Sequence, residues 1–314
     1  MKKNFLFGLL TSVLLFWGCT DTKSITQSYD GPIFDIALQA INPVWFNRAI
    51  DGVDYGLHSM EKYESMVSDT ATLFRETLAH MEAHNIQIGL LVDGTNRDVL
   101  LAKNPDLFHL AFTPNLRLED HSEALIDFEE GILEGKYIAL GELGLVYQGI
   151  PLNTEILFPY YEIAQKHGIP MLIHTGFSGP NPQKAVSPAF RIATADPLLL
   201  EDVIINFPDL NIVMMHMAWP FFDEALYMLG TYPNVYIDTS VAAWLMGDHL
   251  FHRLLEETVA TVGSEKVLYG SLQMAFPGVI GDAVNSINEA DYLTLEDKES
   301  IFWGNAIQLF GIEE

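Results

Sequence analysis

The chain is short of cysteine, of positive charge and of long apolar runs, and each shortage excludes something. Cys19 is the single cysteine among 314 residues, so no disulfide can form within the chain. Its stability has to come from a buried core, and the length permits a large one. Lysine and arginine number 16 against 42 aspartates and glutamates, for a formal net charge of -26. So acidic a body repels nucleic acid phosphates and anionic lipid headgroups, which argues against both as partners. Charge of this kind speaks to solubility and not to chemistry. No Gly-x-Gly-x-x-Gly turn follows the first strand candidate, so a dinucleotide-binding open sheet has no support. Internal repeats and low-complexity tracts are absent from the body of the chain.

One apolar run stands out, at the N-terminus. Lys2 and Lys3 precede thirteen residues, Phe5 to Trp17, that are broken only by Gly8, Thr11 and Ser12. That is short for a bilayer span and matches the apolar region of a secretory signal. Gly18-Cys19 follows directly and resembles a bacterial lipoprotein signal, in which the cysteine carries the lipid and becomes the new N-terminus. The alternatives are an ordinary secretory signal or an N-terminal anchor in which Cys19 is incidental. The expected organisation is a signal over 1–18, a polar lipid-anchored tether over 19–30, and one domain over 31–314. The expected address is the bacterial cell envelope outside the cytoplasm, with membrane contact only through Cys19, or else secretion to the periplasm. Removal of Lys2 and Lys3 takes the formal charge from -26 to -28.

From residue 33 onward short apolar runs alternate with amphipathic segments. The runs cover 33–38, 86–92, 109–113, 138–143, 171–174, 212–216, 235–238 and 267–271. Near-continuous Val, Ile, Leu and Met over so few residues suits strands buried on both faces. Helix candidates lie between them at 70–84, 122–134, 155–167, 198–206, 222–229 and 250–262, several closed by stop signals such as Gly168-Ile169-Pro170 and Pro208-Asp209. Eight strands in alternation with helices predict an α/β fold, a (β/α)8 barrel. Two long connections, 39–69 and 175–196, follow strand C-terminal ends, where such barrels build their sites.

Polar residues close several apolar strands. Asp93 follows strand 2, Glu142 lies in strand 4, His174 ends strand 5, His216 ends strand 6 and Asp238 ends strand 7. In a closed barrel these ends converge on one cavity, and two imidazoles with a carboxylate make a candidate divalent metal site. Each has an ordinary reading as well. Asp93-Gly94 is a common turn pair, Asp238-Thr239-Ser240 can cap a helix, and a strand-end histidine is often only hydrogen-bonded. The other eight histidines fall in loops, helices or strand starts and read as structural. Strand register also leaves open whether Glu142 faces the cavity.

Longer motifs then carry a family resemblance. The stretch Met171-Leu172-Ile173-His174-Thr175-Gly176, the run from Phe207-Pro208-Asp209 to His216, Tyr232-Pro233-Asn234 through Ser240, and Gly304-Asn305 through Gly311 resemble amidohydrolase-related (amidohydrolase family 2) members of the amidohydrolase superfamily. Gly141-Glu142-Leu143-Gly144 is similar to the Gly-Glu-Ile-Gly strand of members with a glutamate on strand 4. The family closes strand 1 with Asp-x-His-x-His, whereas this chain has Asp35-Ile36-Ala37-Leu38-Gln39. Strand 8 there ends Gly-Ser-Asp, with the aspartate both ligand and base; here it reads Gly270-Ser271-Leu272-Gln273. Two-metal members hold the first metal through strands 1 and 8 and the second through strands 4, 5 and 6. The resemblance therefore implies loss of the first metal's ligands and retention of Glu142, His174 and His216. It implies a small-molecule hydrolase of C–N or C–O bonds with one divalent metal, zinc or else manganese or iron. The family's own base is missing, and by strand position Asp238 is the expected substitute, with Asp93 a second candidate. Arg48 and Arg191 in the long loops are candidate clamps for a substrate carboxylate. The alternative is a catalytically degenerate barrel, with or without metal, that binds a ligand or partner at the cell surface. A metal-free lyase is a third course.

Overall fold

A computed structural model describes residues 27–44, 66–176, 178 and 181–313. Eight strands form one sheet in the order β1 to β8, every neighbouring pair parallel: β1 Ile33–Gln39, β2 Ile86–Asp93, β3 Phe108–Phe112, β4 Tyr137–Leu143, β5 Met171–Ile173, β6 Ile212–Met214, β7 Val235–Asp238 and β8 Val267–Leu268. The first and last strands close on each other. Ile36 N donates to Tyr269 O at 3.1 Å, and Leu272 N donates to Ala37 O at 2.7 Å. The fold is a (β/α)8 barrel.

Helices fill the connections and cover the sheet's outer face. They are α1 Thr70–Ala83, α2 Arg97–Lys103, α3 Ser122–Leu133, α4 Phe158–His167, α5 Leu200–Asn206, α6 Phe222–Thr231, α7 Asp248–Val262, α8 Val279–Glu289, α9 Leu295–Glu299 and α10 Asn305–Phe310, besides single turns. Local signals bound them. Asp69 accepts from Thr72 N at 2.9 Å to start α1, and Thr294 with Asp297 forms a reciprocal capping box on α9. Gly168 and Gly311 close α4 and α10 in the left-handed region. Because both faces of the sheet are covered, nearly every strand residue is buried and one core runs through the barrel. A satellite cluster of Val146, Phe190 and Ala195, with Tyr147 against it, joins the loops after β4 and β5.

Two expectations change. The ladders of β5, β6 and β8 stop at Ile173, Met214 and Leu268, short of His174, His216 and Ser271. Beyond Met214 the backbone enters the left-handed region, with φ of 65°, 51° and 49° at His216, Met217 and Ala218, so His216 leaves the ladder as it turns toward the axis. Gln27–Asp30, read as the end of a free tether, is hydrogen-bonded to the barrel.

Candidate metal centre

Glu142 reaches the mouth because β4 is bulged. Leu140 pairs with Met171 and Leu143 with Ile173, so β4 spends one residue more than β5 over that span. Gly141 makes this local path feasible. Its φ is +132°, and a side chain there would drive a Cβ into the carbonyl oxygen of Leu172. The bulge resolves the register question, and the Glu142 carboxylate points at the two imidazoles.

The three side chains converge. Glu142 Oε1 lies 2.7 Å from His174 Nδ1 and 3.4 Å from His216 Nε2, and the two ring nitrogens are 2.9 Å apart. His174 and His216 are buried and their rings meet edge to face. Ligands at ~2.1 Å from one ion are separated by ~3.0 Å at right angles and ~3.4 Å at the tetrahedral angle, so these spacings suit three donors on one metal. The second oxygen, Glu142 Oε2, is buried without a hydrogen-bond partner. An orphaned carboxylate oxygen costs free energy unless something positive meets it. The donor set therefore fits a divalent cation, and among the described residues it is the one cluster of His, Cys, Asp or Glu that does. Burial by itself would raise the Glu142 carboxyl, but hydrogen bonds from His174 and His216 outweigh it and hold the group well below the usual range. Burial also opposes charge on His216, yet the Glu142 hydrogen bond and charge leave it raised.

A second layer orients His216. Its Nδ1 meets Ser240 Oγ at 2.8 Å and Ser240 O at 3.2 Å, and Ser240 Oγ donates to Asp238 Oδ1 at 2.7 Å. With its proton given to the Asp238 carboxylate, the hydroxyl must accept from His216 Nδ1–H, so whenever the ring is neutral its lone pair is on Nε2, facing the centre. Asp238 Oδ1 also accepts from His216 N at 2.7 Å and Ser240 N at 3.0 Å, whereas its Oδ2 is buried with no partner. Burial raises the Asp238 carboxyl against those donors.

Asp93, accessible at the end of β2, accepts from Gly94 N at 2.6 Å. Desolvation by the surrounding walls, and then the charge of Glu142, raise its carboxyl. Arg191 is exposed and donates from Nη1 to the carbonyls of Phe190 at 2.7 Å and Pro188 at 3.1 Å, bracing its own loop. Arg48 and Cys19 lie outside the described residues.

The ends of β1 and β8 are knitted together without charge at the rim. Gln39 N donates to Gln273 Oε1 at 3.0 Å, and Gln273 Nε2 donates back to Gln39 O at 2.8 Å. Leu272 and Ala37 are buried beside this clasp. Deeper in, Asp35 Oδ1 accepts from Ala37 N at 3.1 Å and Ser271 N at 3.0 Å, and burial pushes its carboxyl up to about 7.

Two residues escaped the sequence reading. Ser240 looked only like part of a helix cap. Tyr147, three residues past Gly144, packs edge-on against His174 with ring centroids 5.0 Å apart, and against Phe190 at 5.6 Å. Burial, helped by the Glu142 charge, pushes the phenol up, so it stays a neutral donor. Its place in the loop just after Glu142 was the available signal.

With this geometry in place, comparison with known proteins defines the class. The Amidohydrolase family model matches residues 68–312, and the chain belongs to that family. Protein fluG of Emericella nidulans is 27% identical over 108 residues, which are 34% of this chain and 12% of that protein, so the match spans only a small part of it. Among solved structures, a dihydroxybenzoic acid decarboxylase from Polaromonas with bound manganese and the inhibitor 2-nitroresorcinol superposes with a TM-score of 0.61 at 15% identity, over 90% of this chain and 98% of that one. A putative 2-pyrone-4,6-dicarboxylic acid hydrolase from Pseudomonas putida gives 0.60 at 16%, over 90% and 98%. At such identities the likeness is one of fold.

Proposed function

We propose that this chain hydrolyses a C–N or C–O bond of a small molecule, using one divalent metal held by Glu142, His174 Nδ1 and His216 Nε2. The observation that carries the reading is the convergence of these three donors around the orphaned Glu142 Oε2. When bound, such a metal polarises a carbonyl and lowers the pKa of water. The protein's own groups supply the rest. Ser240 and Asp238 hold His216 in its ligating tautomer. Asp238 is fully buried, with Oδ1 held by three donors, whereas Asp93 is exposed at the end of β2, so of the two candidate bases Asp93 is the more accessible proton acceptor. Tyr147 can donate its hydroxyl proton to a developing negative charge near the centre. Zinc, manganese and iron all suit a two-histidine, one-carboxylate set.

The test is metal analysis of the purified chain together with a screen of esters, lactones and cyclic amides. Asp93→Asn should keep the metal and lose turnover by ~10²-fold or more, the usual worth of a positioned base. Asp238→Asn keeps an oxygen acceptor for its three donors and should be milder. Loss of turnover in Asp238→Asn with Asp93→Asn active would return the base to Asp238. The neutral Gln39–Gln273 clasp favours a second reading, a barrel that binds a ligand without turnover, and metal-free, inactive protein would support it. We further propose export and lipid anchoring through Cys19, supported by Lys2, Lys3, the apolar run and Gly18-Cys19.

A further inference from the structure

The chain just ahead of β1 is strapped to the barrel. Lys298, fully buried, donates from Nζ to the carbonyl oxygens of Gln27 at 2.9 Å and Asn288 at 2.8 Å. The Asn288 side chain accepts from Tyr29 N at 2.8 Å and donates to Tyr29 O at 3.2 Å. The Tyr29 ring stacks on Phe302 with centroids 5.7 Å apart, and its hydroxyl donates to Pro32 O at 3.0 Å. A buried ammonium is stable only with such acceptors, so the strap is a built feature of the domain.

Topology fixes which end of the barrel it occupies. Tyr29 lies just before the N-terminal end of β1, and Asn288 lies in the last turn of α8, a helix that returns antiparallel to the strands. Strand N-termini and the C-termini of these helices share one end of the barrel. Glu142, His174 and His216 stand at the opposite end, where β4, β5 and β6 finish.

We infer that the barrel stands on a lipid surface with its strand N-terminal end toward the lipid and its metal centre facing away; this rests on the reading of Cys19 as the lipid anchor. Seven residues, 20–26, separate Cys19 from the strapped Gln27. Fully extended, the eight steps reach at most ~29 Å. The eight residues of β2 make seven steps, ~23 Å along the strand and ~19 Å along a barrel axis from which such strands tilt ~36°, before the loops at either end and the detour around a helix layer ~10 Å thick are added. To turn the mouth to the membrane, the tether would need to run the whole length of the barrel and still clear the loops. It is too short. Net charge adds no attraction, since the chain from Cys19 onward carries a formal charge of -28 and offers none to an anionic surface.

The test uses the lipidated chain, with Cys19 as its N-terminus, in phosphatidylcholine vesicles that carry a headgroup-linked energy-transfer acceptor. Cys19 is consumed by the lipid, so Asp209→Cys and Glu119→Cys each introduce one thiol for a donor dye. Both positions are exposed; Asp209 lies in the turn entering β6, and Glu119 in the loop leaving β3. Transfer should be about twofold stronger or more from 209 than from 119, given ~19 Å of strand along the axis, and the loops besides, between the two ends. Asn288→Ala, which removes the Tyr29 pair and leaves Lys298 in place, should narrow that difference. Equal or reversed transfer in protein that incorporates palmitate overturns the orientation alone. A difference unmoved by Asn288→Ala, and by Lys298→Met as a second variant, overturns the role of the strap. No palmitate in the parent chain relative to Cys19→Ala brings down the anchor and the orientation together.

Discussion

Ser240→Ala tests whether the layer behind His216 tunes the centre. The substitution deletes the hydroxyl that accepts from His216 Nδ1 at 2.8 Å and donates to Asp238 Oδ1 at 2.7 Å. Ser240 is fully buried and alanine is nearly isosteric with it, so the fold should persist. Asp238 Oδ1 keeps the backbone N–H groups of His216 and Ser240. Loss of a ligand's outer partner typically weakens metal binding ~10–100-fold. Here the Ser240 carbonyl, 3.2 Å from the same nitrogen, survives the substitution and can still hold the tautomer. The expected loss is therefore at the low end, ~10-fold or ~1.4 kcal/mol. Competition titration of the metal-stripped chain with a chromophoric chelator reads it directly. Ser240→Thr, which retains a hydroxyl, should recover most of the affinity. An unchanged dissociation constant in Ser240→Ala, or a threonine variant as weak as alanine, would refute the argument.

Other perturbations follow from the same contacts. Gly141→Ala sets a Cβ against the Leu172 carbonyl and should displace Glu142, so metal binding should fall together with thermal stability. Gln273→Ala leaves both backbone groups of Gln39 without their clasp partner and should cost ~1–3 kcal/mol in urea unfolding, with metal stoichiometry unchanged. Asp35 should make stability fall as pH rises. Its carboxyl, ordinarily at 3.8, is pushed up to about 7 by burial, so between those values the unfolded chain gives up a proton that the native state keeps. Below the lower value both states are protonated and the penalty is gone. Its full size is on the order of a few kcal/mol, and Asp35→Asn should flatten the profile measured by urea unfolding at about pH 5 and about pH 8.

Much of this fold can be read from hydrophobic patterning, because strands buried on both faces give unbroken apolar runs. All eight runs correspond to strands, and the helix starts at Thr70 and Ser122 follow directly from the alternation. Strand ends are less legible. Whether a residue such as His216 continues a ladder or turns out of it depends on three consecutive left-handed residues, and Met217 and Ala218 advertise no such thing. The facing of Glu142 was equally hidden, since it depends on a bulge that only the pairing with β5 defines. Ser240 and Gln273 act through partners 24 and 234 residues away, and no local pattern encodes such distances. The strap at Gln27–Asp30 was unreadable for a similar reason. A polar stretch looks like a tether until the buried lysine that holds it, 271 residues on, is known.

The central claim is a single metal held by Glu142, His174 and His216, and the most direct measurement is the metal content of the chain from Thr20 onward. The protein would be stripped with chelator, reloaded separately with zinc, manganese and iron, freed of excess and assayed by elemental analysis against protein concentration. Saturation at one equivalent of a divalent metal is expected, with His216→Ala retaining almost none. Saturation at two equivalents, no retained metal, or one equivalent still present in His216→Ala would contradict that claim.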